Sequence, residues 1–139
     1  MSELFLLFNL VFASNELDLA IDKAAQKYNI ESQDLRLIAA VESSYSVNPK
    51  INENRNKTID VGPFQVNSIH KNTTCKMFNI ETLEGNVLCA AKLIAMHKKH
   101  KGTDFYWLAR YHSKTPKYKK IYQEKLDRAK VLFLIADKN

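Results

Sequence analysis

Glu42 is the residue whose type and position best suit acid–base chemistry. It follows Leu35 and Ile38 on the apolar face of a predicted helix and lies near the end of that helix. Burial and the negative end of the helix dipole both raise the pKa of a carboxyl group. A protonated acid in a cleft can protonate the leaving oxygen when a glycosidic bond is cleaved. The alternative is a glutamate that turns to solvent at a frayed helix end.

A second group of candidates lies in the segment DVGPFQVNS, residues 60–68. Gly62 lets the backbone approach a sugar, Phe64 offers an apolar face, and the amides of Gln65 and Asn67 can donate and accept hydrogen bonds. The alternative for both amides is turn capping and backbone bonding. Asp60 is either a second carboxylate that positions water or a cap of the following turn.

Tyr111 and His112 form a third group, in the segment ARYH of residues 109–112. From its spacing to Phe105 and Leu108, Tyr111 could equally be a core aromatic of a short helix. The histidine brings a group that titrates near neutral pH, and a cation there would lower the pKa of Glu42.

The three groups occur in an order that resembles the soluble lytic transglycosylase (SLT) family, whose domain is like goose-type lysozyme. In that family a helix-ending Glu-Ser pair precedes a Gly-Leu-Met-Gln-Ile-Asn type segment and then an Ala-x-Tyr-Asn type segment. The resemblance covers about residues 15–126. The DVG and QVNSIH stretches and the paired cysteines are similar to the small enzymes that accompany type III and type IV secretion systems.

The resemblance implies a role for each matching position. Glu42 becomes the single acid/base, Ser43 its hydrogen-bonding neighbour, and Tyr111 the tyrosine close to the acid. Residues 62–67 lie along the sugar groove, with the two amides on glycan groups. The implied reaction cuts the β-1,4 bond between N-acetylmuramic acid and N-acetylglucosamine and closes a 1,6-anhydro ring. The nucleophile belongs to the substrate, so the resemblance implies no cofactor.

This chain departs from the family pattern at several positions. Pro63 and Phe64 stand where Leu and Met are usual, His112 replaces Asn, and Ser113-Lys114 replace a small residue and Gly. Two other functions therefore stay open. One is a true hydrolase in which Asp60 activates water, and the other is a non-enzymatic module that binds peptidoglycan or assists assembly.

The composition predicts one mainly α-helical domain, and the resemblance implies a lysozyme-like, goose-type architecture for it. The 139 residues include only three Gly and three Pro, and apolar residues recur at three- and four-residue spacing. We predict a helix over 15–28 that Asn29 ends, and a second helix that Ser32 caps and that carries Glu42. A loop over 46–60 and a helix over about 86–99 follow. A short helix capped by Thr103 holds Phe105, Leu108 and Tyr111, and the last helix begins at Pro116 and carries Tyr118, Ile121, Tyr122, Leu126, Ala129 and Phe133.

Residues 1–13 have two interpretations, and residues 14–139 form the domain in both. The apolar run from Leu4 to Ala13 resembles an export signal, although it has no basic n-region; otherwise it is an apolar first helix.

Cys75 and Cys89 could form a disulfide worth about 3 kcal/mol in an oxidising compartment, or stay as buried thiols in a reducing one. We expect a periplasmic or secreted protein.

The net charge of +6 favours an anionic partner. We expect a monomer that binds peptidoglycan glycan strands and serves secretion-system components. His97 and His100 are too few ligands for zinc, so no metal is expected. The basic segment KTPKYKK, residues 114–120, lies on a helix with an apolar opposite face, which favours a solvated or glycan-facing surface over nucleic acid.

Overall fold

The computed structural model describes residues 3–11 and 15–137, and they form a mainly helical domain, as predicted. The elements in chain order are α1 (Glu3–Val11), α2 (Asn15–Tyr28), α3 (Ser32–Ser43), β1 (Asn52–Glu53), β2 (Ile59–Val61), β3 (Val66–Asn67), the 3-10 helix η1 (Ser68–Asn72), α4 (Leu83–Lys99), the 3-10 helix η2 (Trp107–Tyr111) and α5 (Pro116–Asp137).

The core lies among α2, α3, α4 and α5. α4 packs on α2 and η2, and α3 packs on α2 and α5. Each of these helices contributes a large, fully buried side chain: Leu17, Ile38, Ile94 and Leu126. Burial of such side chains is the main stabilising contribution to the fold.

Several predicted boundaries match the structure. α2 covers the predicted range, and Asn29 ends it with a left-handed φ of 52°. Pro116 is the first residue of α5. In α3 the cap position is Glu31 rather than Ser32, and no side chain caps the helix. α4 begins earlier than predicted, because the Thr82 hydroxyl accepts a hydrogen bond from the Gly85 N–H.

The predicted loop over 46–60 contains structure that the sequence pattern did not indicate. β1 lies within this segment and pairs antiparallel with β2 at its end, with Asn52 opposite Asp60. β3 follows the segment and pairs antiparallel with β2, with Asn67 opposite Asp60. The strands are two or three residues long and mostly polar. Such strands have no alternation of apolar residues that a period-two search could detect.

The predicted apolar stripes were wrong at three aromatic or aliphatic residues. Phe105 is 95% exposed and precedes η2, which begins at Trp107. On α5, Tyr118 and Ile121 are 52% and 45% exposed. The other predicted stripe residues of α5, at positions 122, 126, 129 and 133, are buried.

Residues 3–11 form a helix that packs against α5. Leu6 is buried, and the Asn9 side-chain amide donates to the Ser44 carbonyl at 2.6 Å. Phe12 and Ala13, which belong to the predicted export signal, lie outside the described residues, so export stays a prediction. Within the described ranges, no helix combines the length and apolar character needed to cross a membrane.

Cys75 and Cys89 are joined by a disulfide, with 5.4 Å between their Cα atoms. Both residues are fully buried. The bridge ties the segment after η1 to α4, so it supports the side of the domain where the β-sheet packs.

Candidate active site

A cleft of about 620 Å³ lies between the β-sheet on one side and α3, α4 and η2 on the other. Glu42, Leu93, Tyr111 and His112 line its helical side. Its other wall is formed by residues of the two segments 54–60 and 65–70. The three groups of candidates that are far apart in the sequence therefore meet at one place.

Glu42 lies in the last turn of α3 and is partly exposed to this cleft. Its Oε2 accepts a hydrogen bond from the Tyr122 hydroxyl at 2.5 Å. The pKa of Glu42 is raised to about 7, with burial as the largest cause and the Asp60 carboxylate as a smaller one. The Tyr122 hydrogen bond and Lys125 oppose this rise. Near neutral pH the group can therefore both give and accept a proton.

Ser43 closes the helix and does not serve as the hydrogen-bonding neighbour of Glu42 that we expected. Its buried hydroxyl donates to the Ala39 carbonyl at 3.1 Å and accepts from the Ser46 N–H at 3.2 Å. Ser44 and Tyr45 follow with left-handed φ values of 51° and 61°. This turn ends α3 directly after Glu42, where the helix dipole disfavours a charged carboxylate.

Tyr122 is the functional residue that sequence reasoning missed. Its place on the apolar stripe of α5 predicts only a core residue, yet its hydroxyl reaches the carboxyl of a residue 80 positions earlier. Because it is buried beside Glu42, its own pKa is raised well above the usual value for tyrosine. It therefore stays a hydrogen-bond donor.

Tyr111 lines the same cleft as Glu42. Its hydroxyl donates to the Phe64 carbonyl at 2.7 Å and so ties η2 to the segment before β3. Burial, Glu42 and Asp60 together raise the pKa of Tyr111 well above its ordinary value. His112 also lines the cleft, and its ring stacks on Tyr122 with 5.0 Å between ring centroids.

The amides of Gln65 and Asn67 line the cleft but are engaged within the protein. The Gln65 amide donates to the Gly62 carbonyl at 3.0 Å and accepts from Asn52 at 2.5 Å. The Asn67 amide donates to Asp60 at 2.9 Å and caps η1 by accepting from the Ile69 N–H at 3.0 Å. The capping alternative therefore describes these contacts better than direct glycan binding does.

Gly62 and Phe64 do not line the cleft, contrary to our expectation that they face a sugar. A Cβ at Gly62 would lie 2.3 Å from the Asn86 amide nitrogen, and its φ of 77° is left-handed. Phe64 has no exposed surface, and its backbone N–H donates to the Asn86 side-chain oxygen at 3.1 Å. Gly62 is thus required by the buried Asn86, which also donates to the Val61 and Ile80 carbonyls.

Asp60 lies on the cleft wall, with its position fixed by two amides. Asn54 donates to one carboxylate oxygen at 3.2 Å, and Asn67 donates to the other at 2.9 Å. Both Asp60 and Glu42 line the same cleft. The site thus holds two carboxyl groups, and the pKa of Glu42 is strongly raised.

Among residues 3–11 and 15–137, no three His, Cys, Asp or Glu side chains lie close enough together to hold a metal ion. The positive charges of Lys114 and Arg110 add to burial in lowering the pKa of His97. A cationic environment of this kind does not suit metal binding.

Comparison with known proteins gives one family. The family model of the transglycosylase SLT domain matches residues 19–130, which is most of the chain and includes every residue of the cleft. No curated protein and no solved structure gave a significant match. The helical architecture agrees with the lysozyme-like fold of SLT domains, and enzymes of this type act on peptidoglycan. The chain therefore belongs to the transglycosylase SLT domain family.

Proposed function

We propose that this protein is a lytic transglycosylase that cuts the β-1,4 bond between N-acetylmuramic acid and N-acetylglucosamine and leaves 1,6-anhydro ends. The observation that carries the proposal is Glu42, a partly buried carboxyl group with a pKa of about 7 that faces the cleft. A group with a pKa near the working pH is the best compromise between an acid and a base. This reaction needs one residue to act first as an acid and then as a base.

In the first step Glu42 gives its proton to the glycosidic oxygen, and the bond from that oxygen to the muramoyl C1 breaks. The Tyr122 hydroxyl, which already donates to Oε2, stabilises the carboxylate that results. In the second step this carboxylate takes the proton of the muramoyl 6-hydroxyl while that oxygen bonds to C1. Glu42 returns to its protonated form, and the substrate supplies the nucleophile, so the cycle requires no cofactor.

A hydrolytic muramidase is the second candidate, and Asp60 is the observation that favours it. Its carboxylate is held on the wall of the same cleft and raises the pKa of Glu42 electrostatically. A second carboxylate across the scissile bond is what a hydrolase uses to activate water or to form a covalent intermediate. Only the transglycosylase leaves anhydro ends, so the products separate the two reactions.

We also propose that the protein works outside the cytoplasm, in the periplasm or after secretion, as a monomer. Its substrate lies there, and the Cys75–Cys89 disulfide suits an oxidising compartment. A local opening in the wall for a secretion or conjugation apparatus is the role that the sequence resemblance favours. The positive net charge suits the anionic wall.

The test is mass spectrometry of the muropeptides that the purified protein releases from sacculi. We expect anhydro ends from the wild type, and a rate lower by roughly 10²–10⁴ from Glu42→Gln, which keeps the volume but has no proton to give. Reducing ends from the wild type would support the hydrolase. No release by a folded wild-type protein that still binds sacculi would leave a non-catalytic binding module.

A further inference from the structure

The His112 ring lies flat against the Tyr122 ring. The two planes are inclined by only 1°, and their centroids are 5.0 Å apart, which is the geometry of a stacked aromatic pair. Tyr122 in turn donates its hydroxyl proton to Glu42 Oε2 at 2.5 Å. Contacts therefore run from His112 through Tyr122 to the carboxyl group that carries the proposed chemistry.

The histidine backbone is held by η2. His112 is the C-terminal cap of η2, and its N–H donates to the Ala109 carbonyl at 3.1 Å. The preceding residue, Tyr111, is hydrogen-bonded to the Phe64 carbonyl. The imidazole is thus presented to Tyr122 from a fixed turn, while Tyr122 comes from a different element, α5.

We propose that His112 is a positioning residue that, by stacking on Tyr122, keeps the tyrosine hydroxyl on Glu42 during the two proton transfers. The proposal rests on the proposed function. It gives a structural role to a position where this chain has histidine and the SLT pattern has asparagine, a side chain that has no ring to stack.

The role depends on position rather than on charge. Burial and the neighbouring Lys125 both lower the pKa of His112, which favours the neutral imidazole. The charged groups that do act on Glu42 are Asp60, which raises its pKa, and Lys125, which lowers it. Replacing His112 with an uncharged residue therefore changes the charge of the cleft little, and a shift of the Glu42 titration reports the placement of Tyr122.

The experiment measures the pH dependence of kcat/KM on sacculi for His112→Asn and His112→Phe, each alone and combined with Tyr122→Phe. Without the stack the hydroxyl leaves the Glu42 carboxylate more often, so His112→Asn should move the alkaline limb upward, by at most about one pH unit. His112→Phe keeps a ring and should leave that limb in place. With Tyr122→Phe present, His112→Asn should add no shift. Phe105→Asn, which removes a 95% exposed ring, is the matched control.

A second readout does not depend on activity. Titration of the Glu42 carboxyl carbon by NMR, with Glu42→Gln to assign the signal, should give the same upward move in His112→Asn. This readout tests the positioning role even if the wild-type protein cleaves no glycan. Three outcomes overturn the proposal: an unchanged Glu42 titration in His112→Asn, a further shift when the two substitutions are combined, or a change confined to the acidic limb, which would indicate a charge effect.

Discussion

Glu42→Gln should stabilise the fold at alkaline pH while it removes activity. The pKa of Glu42 is about 7 in the folded protein and 4.5 in the unfolded reference. Below pH 4.5 both states hold the proton and the raised pKa costs nothing. Between pH 4.5 and about 7 the unfolded chain ionises and the folded protein does not, so stability falls with rising pH and stays low above that range.

The size of the effect follows from the difference between the two pKa values. Each tenfold difference in proton affinity corresponds to about 1.4 kcal/mol, so the wild type loses about 3 kcal/mol of stability by pH 8. Glutamine has the same shape and does not ionise, and its side-chain oxygen can still accept the Tyr122 hydrogen bond. The variant should therefore match the wild type at pH 4 and exceed it by about 3 kcal/mol at pH 8.

Urea unfolding followed by circular dichroism at pH 4, 6 and 8 measures this difference. Glu124→Gln is the matched control, because Glu124 is exposed on α5 and the substitution removes the same formal charge. That control should show no comparable gain. If the stability difference between Glu42→Gln and wild type does not grow from pH 4 to pH 8, the carboxyl is not desolvated in the folded state and the argument for its raised pKa fails.

Three further predictions concern the hydrogen bond to the acid, the disulfide and Gly62. Tyr122→Phe removes a hydrogen bond that favours the ionised form of Glu42, so the alkaline limb of kcat/KM should move upward by about one pH unit; an unmoved limb would exclude this role of the hydroxyl. Reduction of the disulfide should lower stability by about 3 kcal/mol in unfolding experiments with and without reductant. Gly62→Ala should destabilise the protein by more than about 2 kcal/mol, because its Cβ would overlap a buried amide, whereas Gly102→Ala, with nothing within 4 Å, should cost about 1 kcal/mol. Similar losses for both would contradict this explanation.

The helices and the position of the acid could be predicted because they depend on local patterns. The spacing that places Leu35, Ile38 and Glu42 on one face operates within a single helix, and Pro116 marks the start of α5 for steric reasons. The three motif segments also identify the family without any knowledge of distances. Their match extends over residues 19–130.

The roles of individual side chains were less predictable. Gln65 and Asn67 have the same amide groups whether they bind a glycan or hold a hairpin, and their neighbours in space decide which role they take. Likewise Gly62 could face a ligand or the interior. The buried Asn86, 24 residues further along the chain, is what fills the space beside it.

The sequence by itself determined the helical class, the family, and the placement of an acid on the apolar face at the end of α3. Only the tertiary structure decided that Tyr122 donates to that acid, that His112 stacks on Tyr122, and that Asp60 lies on the wall of the same cleft. The physical reason is that local propensity acts within a few residues. The pKa of a carboxyl group, in contrast, depends on burial and on charges and hydrogen bonds within a few ångströms, and the fold brings these together from distant parts of the chain.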